Sequence, residues 1–414
     1  MDTNWDVIVV GAGAAGLLAG ISAGKSGAKT LVLEKNRKPG VKILMSGGTR
    51  CNITHNTDNR GIVKAFGNNG KFLHSPLAAF SVDETIRFFN QAGVATKIEP
   101  TGKIFPVSNK ALDVLDALLH QLKNENANLL LETPVLDIDP TEDGFLLKTN
   151  LQTFNAKKII LTTGGLSFPG CGTTGDGYKF AMKFGHTIKE TQPALAPLKT
   201  DARWVHELSG VTIPDVGVTA CLNEKPMMQD RGSFLFTHFG LSGPVILNVS
   251  KALNSLSNFK NSSLKLDFLP SAKETDLEAK LQSFASTDGK KLLSVALGEL
   301  LPRRLLEGLF SQIGFSPERK CAGISKDERK AIVISIKSKS VNITGTLGYA
   351  KAEVTTGGVS LDEVNSKTME SKLKKGLYLA GEILDLDGPI GGFNFQAAWS
   401  TGFLAGSQAN EQNI

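Results

Sequence analysis

Residues Asp6 to Glu34 constrain this chain more than any other stretch. A short apolar run, Asp6 to Val10, ends at Gly11-Ala12-Gly13-Ala14-Ala15-Gly16. An Ala/Leu/Gly-rich segment then continues to about Ser26 at helical spacing, and Thr30 to Glu34 reads as a second strand. Strand, glycine turn, helix and strand in that order open a βαβ unit. The helix N-terminus of such a unit turns free backbone N–H groups outward, where a pyrophosphate binds. Gly11 permits the tight turn, Gly13 lets phosphates approach the backbone, and Gly16 lets the helix pack on the strand. Glu34 is placed to accept hydrogen bonds from an adenosine ribose. NAD and FAD present the same ADP half, so the rest of the chain must choose between them.

At 414 residues, with 41% hydrophobic and 21% charged content, the chain is too long for one core, and two or three domains are expected. No stretch approaches the roughly 18 unbroken apolar residues of a membrane span, so neither a membrane partner nor a leader segment is expected. Cys51, Cys171, Cys221 and Cys321 lie far apart, with no C-x-x-C pair and no zinc spacing. A reducing, cytoplasmic setting and no metal site follow. The net charge of +6 is carried by residues 251 to 340, where sixteen Lys and Arg face ten Asp and Glu. There the cations alternate with acids, as in Lys326-Asp327-Glu328-Arg329-Lys330, so a solvated helical face is expected rather than a nucleic-acid partner.

Along the chain, residues 78 to 123 read as helical. Short strands follow at Leu129 to Leu131, Val135 to Ile138, Phe145 to Lys148 and Lys158 to Thr162. Beyond Pro193 and Pro197, the alternation of Val216 to Leu222 and Phe234 to Phe236 predicts antiparallel strands. Residues 272 to 338 turn to helical spacing, strand character returns at Val341 to Gly348 and Glu353 to Val359, and Leu377 to Gly406 reads strand, loop, helix. The expectation is an α/β fold: a discontinuous Rossmann-type domain (1–190 and 360–414), a strand-rich, β-barrel-like insert (191–271 and 339–359), and a small helical domain (272–338) inside that insert.

Three segments favour FAD. The first is Lys42-Ile43-Leu44-Met45-Ser46-Gly47-Gly48-Thr49-Arg50-Cys51-Asn52, where a glycine loop precedes a guanidinium that suits a diphosphate. The second, Ile159 to Leu161 followed by Thr162-Thr163-Gly164-Gly165, is a buried strand running into glycines, and it leads to a loop from Ser167 to Gly177. The third is Leu377-Tyr378-Leu379-Ala380-Gly381-Glu382, followed by Asp385, Asp387 and Gly391-Gly392-Phe393-Asn394. A helix starting near Gly392 would direct its positive end at a flavin edge that gains negative charge on reduction.

These segments, together with Leu235-Phe236-Thr237-His238-Phe239-Gly240-Leu241-Ser242-Gly243-Pro244, resemble the BaiN-like, aminoacetone-oxidase-like family of NAD(P)/FAD-dependent oxidoreductases over nearly the whole chain. Thr49 stands where that family's S-G-G-G-R-C-N signature has its third glycine. The resemblance implies FAD as cofactor. It also implies that Glu382 or Asp385 meets the ribityl hydroxyls, and that Ala14, Ala15, Lys35, Val135 and Asn394 line the cofactor beside the residues named above.

Other side chains have competing roles. His238, on a Gly/Ser/Pro loop, is the candidate proton carrier, against a role in holding its loop. Cys51 follows Arg50, which could lower its thiol pKa, against simple packing. Asn52 is left open between ligand and turn, and Phe393, Phe395 and Trp399 read as core. The leading expectation is hydride transfer between a small organic substrate and FAD, with NAD(P)H as transient donor. There is no second G-x-G-x-x-G unit, so the nucleotide would bind at the substrate face. The alternatives are an oxygen-dependent oxidase of an amine or aminoketone, a flavin-using nucleic-acid-binding factor, and a flavin-binding protein without turnover.

Overall fold

The computed structural model of the chain describes residues 3–254, 259–316 and 318–410. It divides into two compact units, Met1–Pro193 with Val354–Ile414, and Ala194–Glu353. The first unit is built on a sheet whose middle strand, β1 (Asn4–Val10), is apolar and buried on both faces from Val7 to Val10, as a central parallel strand must be. A helix α1 (Ala14–Lys25) returns the chain to β2 (Thr30–Leu33), and the next helix is α2 (Val41–Thr49). Four more strands follow: β3 (Asn128–Leu130), β4 (Val135–Pro140), β5 (Phe145–Thr149) and β6 (Thr153–Leu161). Helix α3 (Asp176–Lys183), strand β7 (Leu377–Leu379) and helix α4 (Phe393–Asn410) complete the set.

The strand order is β3-β2-β1-β6-β5-β4, with β7 also on β6. Ile8 pairs in parallel with Leu31 on one side and Ile159 on the other. Strand β6 changes partner along its length: Thr153 to Ala156 join the antiparallel β4-β5 hairpin, while Ile159 to Leu161 take β7 in parallel. That is how the last segment of the chain rejoins the first sheet. Helix α4 lies on α1 at very close range. A Cβ at Gly402 would stand 2.3 Å from the Ala15 carbonyl oxygen, and one at Gly406 would stand 2.2 Å from that of Ala19.

Residues 78 to 123 are not one helical stretch. A helix over Val82–Gln91, opened by a capping box between Ser81 and Glu84, ends at Gly93 (φ +87°). Strands Thr96–Ile98 and Lys103–Pro106 then join Thr54–His55 in a three-stranded sheet before helix Ala111–Asn124 begins. The β-branched Thr96, Ile98 and Ile104 flanking a glycine turn at Gly102 carried that signal, beneath the stronger helical periodicity on either side.

In the second unit, a seven-stranded sheet runs in the order Lys339–Asn342, Ser262–Asp267, Thr212–Leu222, Lys225–Thr237, Gly240–Ser242, Leu198–Lys199, Gly345–Thr346. Its two edge strands are neighbours in sequence, joined by Ile343 and Thr344, so the sheet curls toward closure as a barrel does. The helices between Glu274 and Lys337 belong to this same unit and share its core through Leu277, Leu305, Leu309 and Ile332. Strand Val354–Val359 instead falls in the first unit and pairs with Ile188–Ala194. Among the described residues no helix is long and apolar enough to cross a membrane, and no group of His, Cys, Asp and Glu could hold a metal ion.

Candidate functional site

The chain leaves β1 at Gly11 (φ +103°), where a Cβ would stand 2.9 Å from the Thr162 carbonyl oxygen. At Gly16 a Cβ would lie 1.8 Å from the Gly11 carbonyl oxygen, so this helix crosses this strand only with glycine at both positions. Gly13 is different. It caps α1 without a side-chain hydrogen bond, and a Cβ on it would meet nothing within 4 Å. The first turn of α1 therefore faces open space with free N–H groups, which suits a diphosphate. Ala14 is half-buried there, and Ala15 is buried against Gly381.

Glu34 is 7% exposed, and its carboxylate accepts from Ala12 N and Asn36 N, both at 2.8 Å. It thus braces the glycine turn and still has lone pairs for a ribose diol. Its carbonyl accepts from Thr133 N (2.9 Å), which brings the start of β4 at Val135 near the same strand end. The Lys35 ammonium is committed to Asp176 at 2.5 Å and to Thr174, at the start of α3.

Helix α2 breaks at Ser46-Gly47-Gly48, with both glycines left-handed (φ +57° and +67°). Thr49 (φ +66°) continues the left-handed run, adopting the backbone that the family's third glycine would take without strain. Gly48, like Gly13, has open space where a Cβ would be. Arg50 turns to Glu99 (2.6 Å) and lies 4.0 Å over the Phe105 ring, so its charge is matched within the protein rather than left for a diphosphate. Cys51 is fully buried, and loss of solvent pushes its thiol up to about 12, so it stays protonated, as a packing residue does.

At the end of β6, the Thr162 hydroxyl donates to the Val10 and Gly11 carbonyls, tying the two strand ends together. Thr163 follows with a buried hydroxyl that has no partner. Gly164 is left-handed (φ +72°), and a Cβ on Gly165 would strike the Thr355 hydroxyl. Gly381 (φ +78°) brings Glu382 into a polar network, in which it accepts from Lys42 Nζ (2.7 Å), Ser167 Oγ (2.6 Å) and Thr355 N (2.9 Å). At Asp385 the backbone is held on both sides, its N–H donating to Val359 and its carbonyl accepting from Asn69.

Gly392 (φ +96°) passes so close to the Thr54 backbone that only glycine fits, Gly391 (φ +138°) lies against the Phe393 and His55 rings, and α4 begins directly after them. Phe393 stacks on His55 with ring centroids 4.5 Å apart, and His55 Nδ1 is bonded to the Gly391 carbonyl (3.0 Å). Asn394 brackets Gly388 with both ends of its amide, and so holds the turn before α4. Asn52, left open by the sequence, keeps a buried Oδ1 without a partner. Trp399 Nε1 donates to the Ile53 carbonyl (2.9 Å), and Phe395 stacks on that indole.

The first unit thus places Gly11, Glu34, Thr162 to Gly165 and Gly381-Glu382 after the carboxyl ends of its parallel strands β1, β2, β6 and β7. His238 lies in the second unit, exposed in the turn after Lys225–Thr237, with its ring edge on Phe239. Sequence reasoning missed Lys42, His55 and Gln396. Gln396 is wholly buried and accepts from the Thr54 hydroxyl at 2.6 Å. Lys42 opened a motif read for its glycines, and the other two became visible only once α4 was seated on Thr54 and His55. The open cradles at Gly13 and Gly48, the uncapped start of α1 and the acid at Glu34 together fit an extended dinucleotide such as FAD.

The pattern of the family described as HI0933-like protein Rossmann domain matches residues 5–408. The chain is 35% identical over 401 residues to Ribosomal RNA dihydrouridine synthase of Escherichia coli (strain K12), covering 96% of each chain. It is 30% identical to 3-dehydro-bile acid delta(4,6)-reductase of Clostridium scindens, covering 98% of each. Among solved structures, 3-ketosteroid-delta4-(5alpha)-dehydrogenase of Rhodococcus jostii RHA1 shares the fold, with a TM-score of 0.53 at 14% identity over 99% of this chain and 98% of that one.

Proposed function

Because the chain belongs to the HI0933-like Rossmann family of FAD-dependent oxidoreductases, we propose that it reduces a carbon–carbon double bond conjugated to a carbonyl, in a uridine of ribosomal RNA. The observation that carries this reading is the full-length likeness to a ribosomal RNA dihydrouridine synthase. In uracil the C5–C6 double bond is conjugated to the C4 carbonyl. The bile-acid relative's name also describes reduction of ring double bonds, so one reaction covers substrates of very different size. A steroid-like enone is accordingly the second reading.

When bound and reduced by NAD(P)H, which would reach it from the substrate side for want of a second nucleotide turn, FAD would supply the hydride, and a proton from solvent would complete the two-hydrogen addition. The chain's own residues hold and orient. The start of α1 at Gly13 takes the diphosphate, and Glu34 takes the ribose. The start of α4 after Gly392 would offer its positive end to a reduced flavin. This reading takes up the nucleic-acid alternative in place of the solvated face expected from the basic insert. The second unit holds 21 Lys and Arg against 16 Asp and Glu, +5 of the chain's +6, which favours a polyanionic substrate. All four cysteines are buried and none is in a disulfide, which agrees with work in the cytoplasm.

The test begins with the anaerobic visible spectrum of the purified protein. NADH or NADPH should bleach the flavin bands, and protein-free ribosomal RNA should restore them with a two-hydrogen mass gain in its uridines. Reoxidation by a steroid enone but not by RNA would move the assignment to the second reading. Bands that fade only with an aminoketone and return with air would replace reduction by an oxidase.

A further inference from the structure

We propose that Lys42 tunes the charge of the FAD site, its fixed ammonium favouring the reduced, negatively charged cofactor while Glu382 opposes it. The segments that follow three parallel strands meet at this pair. After β2 the chain enters α2 and presents Lys42, after β6 it presents Ser167, and after β7 it presents Glu382. The carboxyl ends of parallel strands are where a doubly wound sheet receives its ligand.

The three side chains close a ring. Lys42 Nζ donates to Glu382 Oε2 (2.7 Å) and to Ser167 Oγ (2.9 Å), and Ser167 Oγ donates to Glu382 Oε1 (2.6 Å). Thr355 N adds a fourth bond, to Glu382 Oε1 (2.9 Å). Ser167 is fully buried, and the Lys42 and Glu382 side chains are 30% and 19% exposed. A lysine on a free surface swings through water, which screens its charge. Here the ammonium is held in place and partly out of water, so its field persists. Reducing a flavin adds negative charge, and a nearby fixed cation stabilises that state as a nearby carboxylate opposes it.

The inference rests on FAD occupying the first unit, and failure of that premise would show separately, as a colourless wild-type protein that takes up no FAD. The experiment is a spectroelectrochemical titration of the FAD-loaded full chain and its variants. Lys42→Met should shift the two-electron equilibrium about tenfold against reduction, about 30 mV. Glu382→Gln should shift it the opposite way, and the double variant should return toward wild type. Lys42→Arg, which keeps the charge, should stay near the wild-type value. A pair that only clamps the three segments would give shifts of the same sign, or loss of FAD affinity with no shift, and either outcome overturns the proposal. If Glu382→Gln does not retain FAD, Lys42→Met against Lys42→Arg decides alone. Equal potentials for those two would overturn it.

Discussion

At the scale of single residues, the glycines of the first turn separate by what surrounds them. Gly11 and Gly16 are enclosed by backbone, whereas Gly13 faces open space. Gly13→Asp should therefore fold, by far-UV circular dichroism, yet purify without flavin absorbance, because its carboxylate enters the space of the diphosphate. Full FAD occupancy in that variant would displace the site from α1. A second residue-scale case is His186, which lies between Glu363 (3.2 Å from Nδ1) and Ser371 (2.7 Å from Nε2). The trio has the composition of a hydrolytic triad. The Ser371 oxygen, however, accepts two backbone N–H bonds, from Leu373 and Lys374, so both of its lone pairs are committed and none is left for attack. Burial pushes the His186 pKa below its usual value, against the pull of Glu363. In the window between that lowered pKa and the ordinary value of 6.5, the unfolded chain binds the proton that the folded one refuses. Stability should hold above that window and fall as pH drops through it. Thermal melts from pH 8 to 5 should show the decline, and His186→Gln should flatten it.

At the scale of elements, α4 packs on α1 backbone to backbone. Gly402 and Gly406 let the backbones approach as far as the carbonyls of Ala15 and Ala19. No rotamer relieves a backbone clash, so Gly406→Val should cost about 2 kcal/mol or more, seen as a lower urea midpoint at unchanged slope. Because α1 begins at the cofactor turn and α4 at Gly391-Gly392, the same variant should also weaken FAD retention. A variant as stable as wild type would show that the two helices can separate without loss. Helical periodicity marks both helices in the sequence, but a small residue on a helix has no signature of its own there. Gly402 and Gly406 acquire meaning only when the opposing helix is known.

At the scale of the whole molecule, charge is divided unevenly between the units, with +5 of the net +6 in Ala194–Glu353. If that charge serves an RNA substrate, affinity for protein-free ribosomal RNA should fall linearly on a log–log plot against salt. The slope should be about −0.7 for each phosphate neutralised, so three to five contacts would give about −2 to −3.5. Affinity independent of salt, or no retention at low salt, would count against RNA and leave the small enone. The same basic stretch reads in sequence as a solvated face because Lys326-Asp327-Glu328-Arg329-Lys330 mixes both signs. The structure pairs part of it internally, Arg319 with Glu328 and Lys291 with Asp288.

The sequence by itself determined the nucleotide-binding start, since strand, glycines, helix and acid are contiguous there and each follows from local backbone geometry. It also determined the return of Leu377 to Gly406 to the first sheet and the antiparallel character of the insert, because apolar periodicity is itself local. Only the tertiary structure decided what the site's polar side chains do. Lys42 meets Glu382 across 340 residues of chain, and Arg50 meets Glu99 from the turn between Thr96–Ile98 and Lys103–Pro106. Asn394 holds a turn while Asn52 keeps an unpaired buried oxygen, a distinction invisible in two asparagines that each follow an apolar or cysteine neighbour. Partners far apart in sequence leave no spacing to read, because hydrogen bonds and ion pairs act through space, over a few ångströms that the fold alone brings about.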